Sequence, residues 1–111
     1  MRIIVRNIIP PKQAEATQFT QYTAVNCRTI IDRFSVTNTS AAPVLFNINL
    51  VPSGATASAA NQVLRDKSIG VGESYSCPEI VGHTLEPGGF ISTLAGAAAS
   101  LSIRASGREI T

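Results

Sequence analysis

Pro43-Val44-Leu45-Phe46-Asn47-Ile48-Asn49-Leu50-Val51 sets the terms on which the rest of this chain must fold. Val44, Phe46, Ile48 and Leu50 recur with a period of two, and Leu45, Asn47 and Asn49 fall between them. Successive side chains of a strand point to opposite faces, so this spacing predicts a strand buried on one face. Its β-branched and aromatic residues suit a pleated surface, and Pro43 stands at the first position, where a missing N–H disturbs the ladder least. Such a strand belongs in the middle of a sheet, and the flanking chain must supply a second layer to cover it.

Immediately upstream, Arg28 to Asn38 predicts a strong strand, with Ile30, Asp32, Phe34 and Val36 on one face and Ile31, Arg33, Ser35 and Thr37 on the other. Asp32 breaks the apolar face and is expected either at the sheet margin or against an arginine. Asn38-Thr39-Ser40-Ala41-Ala42 then reads as the connection of an antiparallel hairpin into the central strand. Downstream, the Ser-, Gly- and Ala-rich stretch Pro52 to Asn61 is expected to be a surface crossover between two sheets. Gln62 to Ile69 is expected at a sheet edge, with Arg65 and Lys67 guarding it against aggregation.

Gly70-Val71-Gly72 predicts a tight turn into the short strand Glu73 to Cys77, which Pro78 ends. Ile80-Val81 and Thr84-Leu85 are short apolar contacts, and Pro87-Gly88-Gly89 is a turn. Phe90 to Leu94 and Ser100 to Ser106 read as a pair of strands, with Leu101, Ile103 and Ala105 pointing inward. Gly107 to Thr111 completes an edge. At the other end, Arg2 to Ile9 is rich in β-branched residues and runs into Pro10-Pro11, which forces an extended exit. It reads either as an edge strand of the domain's own sheet or as an arm that pairs with a neighbouring subunit. Removing Met1 to Ile9 is expected to leave the domain folded. Lys12 to Thr20 reads as extended chain or loop, and Gln18 to Val25 as a weak strand.

About eight short strands at regular spacing, with no amphipathic helix in competition, predict an all-β chain, an antiparallel β-sandwich of jelly-roll type. Residues 1–19 form the arm or edge strand and 20–111 the sandwich, within one domain of 111 residues. Aromatics make up only 5% of the chain and Trp is absent, so the core must be built from Val, Ile, Leu and Ala with a few Phe. Such a core is thin, and association with a partner is a natural supplement.

A formal net charge of +2 and 14% charged residues argue against an electrostatic grip on nucleic acid, which needs clustered Lys and Arg. Neither a signal h-region nor a membrane span is expected, because Arg6 and Asn7 interrupt the apolar start. Cys27 and Cys77 are too few for a disulfide framework and read as free thiols of a reducing cytoplasm. His83, the single histidine, has Glu79, Glu86 and Ser76 nearby in sequence, but at no spacing that assembles a base with its nucleophile. Metal, cofactor and small-molecule substrate are therefore not expected, and the chain does not read as an enzyme.

Arg28-Thr29-Ile30-Ile31-Asp32-Arg33-Phe34, Asn38-Thr39-Ser40, Leu50-Val51-Pro52-Ser53-Gly54 and a closing segment from Leu85-Glu86-Pro87-Gly88-Gly89 to Ala105-Ser106-Gly107-Arg108-Glu109-Ile110-Thr111 follow one another in this order. In these phrases, from about Thr20 to its end, the chain resembles the capsid cement or staple (decoration) proteins of epsilon-fifteen-like short-tailed Salmonella bacteriophages. The resemblance implies a jelly roll on the outside of an assembled head, made in the host cytoplasm, that clamps neighbouring major capsid protein subunits as a homodimer at two-fold positions. It carries no catalytic residues. A tail or head-closure component is the alternative within virion proteins, and a carbohydrate-binding jelly roll a more distant one. The interface candidates come from physics alone. Ile3, Ile4 and Val5 are candidates for strand addition, and Arg6, Arg65 and Lys67 for charges at an interface rim.

Overall fold

The computed structural model describes residues Met1–Thr111 and contains nine strands and one 3-10 turn, Ala59–Asn61. The strands are β1 (Ile3–Gln13), β2 (Phe19–Thr23), β3 (Arg28–Asn38), β4 (Val44–Val51), β5 (Gln62–Ile69), β6 (Ser74–Tyr75), β7 (Thr84–Leu85), β8 (Phe90–Ala95) and β9 (Leu101–Ile110). They form two antiparallel sheets. The first has the order β1-β9-β3-β6, with β7 also on β3, and the second β2-β8-β4-β5.

These pairings describe a long hairpin that has been rolled up. Going outward from the Pro52–Asn61 tip, β4 pairs with β5, β3 with β6 and β7, β2 with β8, and β1 with β9. Rolling then adds β3 to β9 and β4 to β8. The apolar faces of the two sheets meet in one core, where the Phe34 and Phe46 ring centroids lie 6.2 Å apart. Each fully buried aliphatic side chain contributes about 1.5–3 kcal/mol, and Ile31, Ile48, Ile69, Ile80, Ile91 and Ile103 supply much of it.

β4 takes the internal position its alternation predicts, between β8 and β5. Val44, Phe46 and Ile48 are buried and Leu45 is exposed, yet Asn47 and Asn49 are also covered. The Pro52–Asn61 connection covers one of them. Asn49 Nδ2 donates to Ser58 O at 2.9 Å and to Asn61 Oδ1 at 2.7 Å, laying the loop over the outer face of the sheet. The loop thus joins neighbours within one sheet, β4 and β5, and is not the expected crossover.

Asn38 to Pro43 is a crossover instead, so β3 and β4 are in different sheets and form no hairpin. Asn38 holds that corner. Its Nδ2 donates to Ala42 O and Ile69 O, both at 2.8 Å, and its Oδ1 accepts from Ser40 N at 2.8 Å and Ser40 Oγ at 2.7 Å. A buried amide with every group partnered strongly favours one path for the chain. β8 and β9 likewise fall in separate sheets and do not pair. The C-terminal residues lie in β9, internal to its sheet between β1 and β3, and not at an edge.

A bulge corrects the facing of β3. Ile31 pairs with Gly107 and Arg33 with Ser106, leaving Asp32 as the extra residue. The extra residue resets the alternation, so Ile31 and Phe34 are both buried while Ile30 is only half-buried. Asp32 is released from the core, and Arg108 grips it through Nε at 3.1 Å and Nη2 at 3.0 Å.

The N-terminal stretch is the edge strand of its own sheet. Ile8, Ile9 and Ala14 belong to the core, and Pro10 and Pro11 fall where the register shifts between Ile9 and Lys12. Loss of residues 1–9 would therefore strip most of β1 and two core isoleucines, which speaks against the expectation that the domain survives it.

A polar bolt crosses between the sheets at one end of the sandwich. Glu109, on the inward side of β9, accepts from the Tyr22 hydroxyl of β2 and from Arg6 Nη1 of β1 at 3.0 Å, and Thr29 Oγ1 lies 2.7 Å from the same hydroxyl. The Tyr22 hydrogen bond, with Arg6 beside it, holds the Glu109 carboxyl below its ordinary range against the opposing effect of burial. Burial, followed by the hydrogen bond to Glu109, pushes the Tyr22 hydroxyl upward.

A carboxyl depressed in the folded state adds stability above its unfolded pKa, and loses it as pH falls through the folded value. The urea midpoint is expected to drop on acidification below about pH 4, and to drop less in Glu109→Gln. Tyr22→Phe is expected to cost about 1–3 kcal/mol at neutral pH by urea unfolding, because the buried carboxylate loses a donor. At the bulge, a Cβ on Gly107 would stand 2.4 Å from the Ile30 carbonyl oxygen. Gly107→Ala is expected to cost about 1–3 kcal/mol in the same assay.

Candidate interaction surface

The six candidate residues fall on two separate margins. Ile3, Ile4, Val5 and Arg6 lie on β1, the edge of the first sheet, and Arg65 and Lys67 on β5, the edge of the second. β1 runs beside β2, while β5 lies beside β6, where Lys67 Nζ sits 4.7 Å over the Tyr75 ring. The two edges are thus on opposite sides of the sandwich, and the candidates make no single patch.

At the β1 margin the phase of the ladder decides what is free. Arg2 N donates to Thr111 O and Thr111 N to Arg2 O, both at 2.9 Å, so the backbone of Arg2 faces β9. The pairing runs on from Ile3 opposite Ile110 to Arg6 opposite Gly107 without a shift. Alternation then turns the N–H and C=O groups of Ile3 and Val5 away from β9, toward the open edge. Ile3 and Val5 are 53% and 77% exposed.

Ile3 stands opposite Ile110 across the ladder, and Val5 opposite Arg108, whose own neighbour on β3 is Ile30. Ile110 and Ile30 are half-buried. Two open apolar side chains, two half-open ones and a free backbone edge therefore share one corner of the first sheet. Ile4 is half-buried and on the other face. Arg6 is engaged with Glu109, so its charge serves the bolt and is not a free rim charge.

The β5 margin is closed more firmly. Asn47 Oδ1 accepts from Asp66 N at 2.8 Å and from Gln62 Nε2 at 3.1 Å, and Asp66 adopts φ +48°. The ladder skips there from Lys67, opposite Phe46, to Leu64, opposite Ile48. A bulge twists an edge away from further pairing, and Lys67 lies against Tyr75, whose hydroxyl donates to Glu79 at 2.8 and 2.5 Å. The Glu79 hydrogen bond, with burial behind it, pushes the Tyr75 hydroxyl up to about 12. Arg65 is exposed and makes no ion pair.

Two clefts lie on the sheet faces, the second of them reaching the β5 edge. One, of about 630 Å³, is on the outer face of the first sheet around Arg33 and Arg104. The other, of about 340 Å³, is on the second sheet and is lined by Gln18, Asn47, Asn49, Gln62, Arg65 and Asp66 among others. Neither was legible in the sequence, because each gathers residues from distant strands. His83 is exposed just before β7, and its carbonyl accepts from Ile31 N of β3 at 3.0 Å. Cys27 and Cys77 are buried and unbridged, and burial pushes the Cys77 thiol up to about 12. No helix is long and apolar enough to cross a membrane. No protein-family model, curated protein or solved structure matches the chain.

Arg6→Ala is expected to lower stability by about 0.5–1 kcal/mol, since the pair is half in solvent, while Arg65→Ala stays within about 0.5 kcal/mol. Urea midpoints of the two variants at low and high salt separate them, with only the Arg6 effect shrinking as salt rises.

Proposed function

We propose that this chain is a non-enzymatic virion structural protein, a jelly roll that binds the outside of an assembled phage head and clamps neighbouring major capsid protein subunits. The observation that carries the reading is the open β1 edge, with the N–H and C=O groups of Ile3 and Val5 unpaired and their side chains exposed beside Ile110 and Ile30. A free edge next to an apolar corner suits β-strand addition, in which main-chain bonds give affinity and side chains give register. The rolled-hairpin strand order supports the jelly-roll part of the reading. The resemblance of the phrases from Thr20 onward to phage cement proteins supports the virion part.

In this reading the protein acts by mass action. A ligand that binds the assembled shell and not its separated subunits stabilises the shell by about 2.7 kcal/mol per site at a hundred times its Kd. Modest contacts repeated over a lattice then suffice. A homodimer at two-fold positions would place two copies of the β1 corner symmetrically, so that one dimer grips two capsid subunits.

The test is co-sedimentation with mature heads that lack the protein, titrated to saturation, with shell melting read on the same samples. Saturation at on the order of hundreds of copies, with a raised melting temperature, is the expected result. Saturation at about a dozen or fewer would move the protein to the tail or head closure, and no binding would sink the virion role. Val5→Pro removes an N–H that faces away from β9, so it should leave the fold intact and weaken binding at least about tenfold. Equal binding by Val5→Pro would remove the β1 edge from the mechanism.

A further inference from the structure

The cleft on the outer face of the first sheet has a chemistry that β1 does not share. β6 covers β3 at Val36 and Thr37, and β7 covers it at Thr29 and Ile30, so along Asp32–Ser35 β3 has no strand on that side. Ser76, Pro78 and Val81 form a wall across the gap, leaving a cleft of about 630 Å³ floored by β3 and β9. That volume lies within the range of ligand sites.

The floor is a checkerboard. Arg33 stands opposite Ser106, and Ser35 opposite Arg104. The two arginines are therefore diagonal neighbours with backbones about 7–8 Å apart, a separation that two guanidinium forks close around one ligand group. Both are exposed, and neither enters an ion pair or a side-chain hydrogen bond. Ser35, Ser76 and Ser106 add hydroxyl donors at the same place.

Two unpaired arginines among hydroxyls call for an oxyanion, and Asp32 selects which kind. Its carboxylate lines the cleft, already gripped by Arg108, and would repel a doubly charged phosphate more than a singly charged carboxylate. Pro78 and Val81 offer apolar surface beside the charge. The cleft is also larger than a lone carboxylate fills, and it runs over adjacent strands, which suits an extended peptide.

We infer that the Arg33–Arg104 cleft binds an acidic side chain, carried on an extended peptide segment of a protein partner with an apolar residue next to it. The inference rests on the reading of this chain as a protein-binding module. It names a second contact, distinct from the β1 edge, in which Arg33 and Arg104 grip the carboxylate and Pro78 and Val81 hold the neighbouring apolar side chain. Contact at β1 and contact at this cleft lie on the same sheet, so one partner surface can engage both.

The experiment is an NMR titration of the full chain with the capped peptide Ala-Leu-Glu-Leu-Ala, and with the same peptide carrying Gln for Glu, at fixed ionic strength. Inorganic phosphate and glucuronate serve as small-anion probes. Saturable shifts at Ser35 and Ser106 with the Glu peptide, at least about tenfold weaker affinity in the double variant Arg33→Gln/Arg104→Gln, and no change in Arg65→Gln are expected. Absence of saturable shifts, or equal shifts with the Gln peptide or in the double variant, overturns the inference. Binding of phosphate or glucuronate as tightly as the Glu peptide overturns it in favour of a small-anion site. Because no heads are used, failure here leaves the head-binding result standing, and failure of head binding leaves this titration readable.

Discussion

The whole sandwich depends on β9 lying between β1 and β3. That single placement joins the two ends of the chain, completes the first sheet, and turns Leu101, Ile103 and Ala105 into the core. It also carries Glu109 to the one position where β1 and β2 can both reach it. Both ladders of β9 close very long loops, so their entropic cost comes before any reward, and they complete only when the last residues are in place. The bulge at Asp32 and the absence of a Cβ at Gly107 accompany a one-residue register shift, on both sides of which β3 and β9 remain paired.

The margins of the two sheets are managed in different ways, and the difference gives the molecule a direction. On one side, the Asp66 bulge and the Lys67–Tyr75–Glu79 stack leave little for another strand to join. On the other, β1 keeps a run of free backbone groups beside exposed Ile3 and Val5. Between them the first sheet carries the Arg33–Arg104 cleft, opened because β6 and β7 are too short to cover β3 completely. The open edge and the cleft thus belong to one sheet, while the second sheet has its outer face overlaid by the Pro52–Asn61 loop.

Local pattern carried the identity of the strands. The alternation of Val44, Phe46 and Ile48 placed β4 inside a sheet, and that of Leu101, Ile103 and Ala105 oriented β9, because side-chain direction follows from a two-residue period alone. Partnership was not legible in the same way. Asn38–Pro43 crosses to the other layer, where the Asn38 amide donates to Ile69 O, a residue far along the chain that no local pattern brings to it. The facing of Ile30 and Ile31 was misassigned for a related reason, since a bulge inserts one residue without changing composition, and one residue reverses a period of two. Of the six candidate residues, Ile3 and Val5 could be picked out by their place in an apolar end segment, whereas Arg6 could not be known to serve Glu109.

By itself, the sequence determined that this protein is all-β, that it is built from alternating strands around an aliphatic core, and that β5 lies at a margin, while it left the N-terminal stretch open between an edge strand and an arm. Those properties depend on near neighbours in the chain, where φ/ψ preference, alternation and turn residues act. Only the tertiary structure decided which strands meet, which backbone groups of β1 stay unpaired, and that Arg33 and Arg104 share one cleft. These are set by long-range registers, in which a shift of one residue carries a side chain from the core to the surface, and no local preference reports that choice.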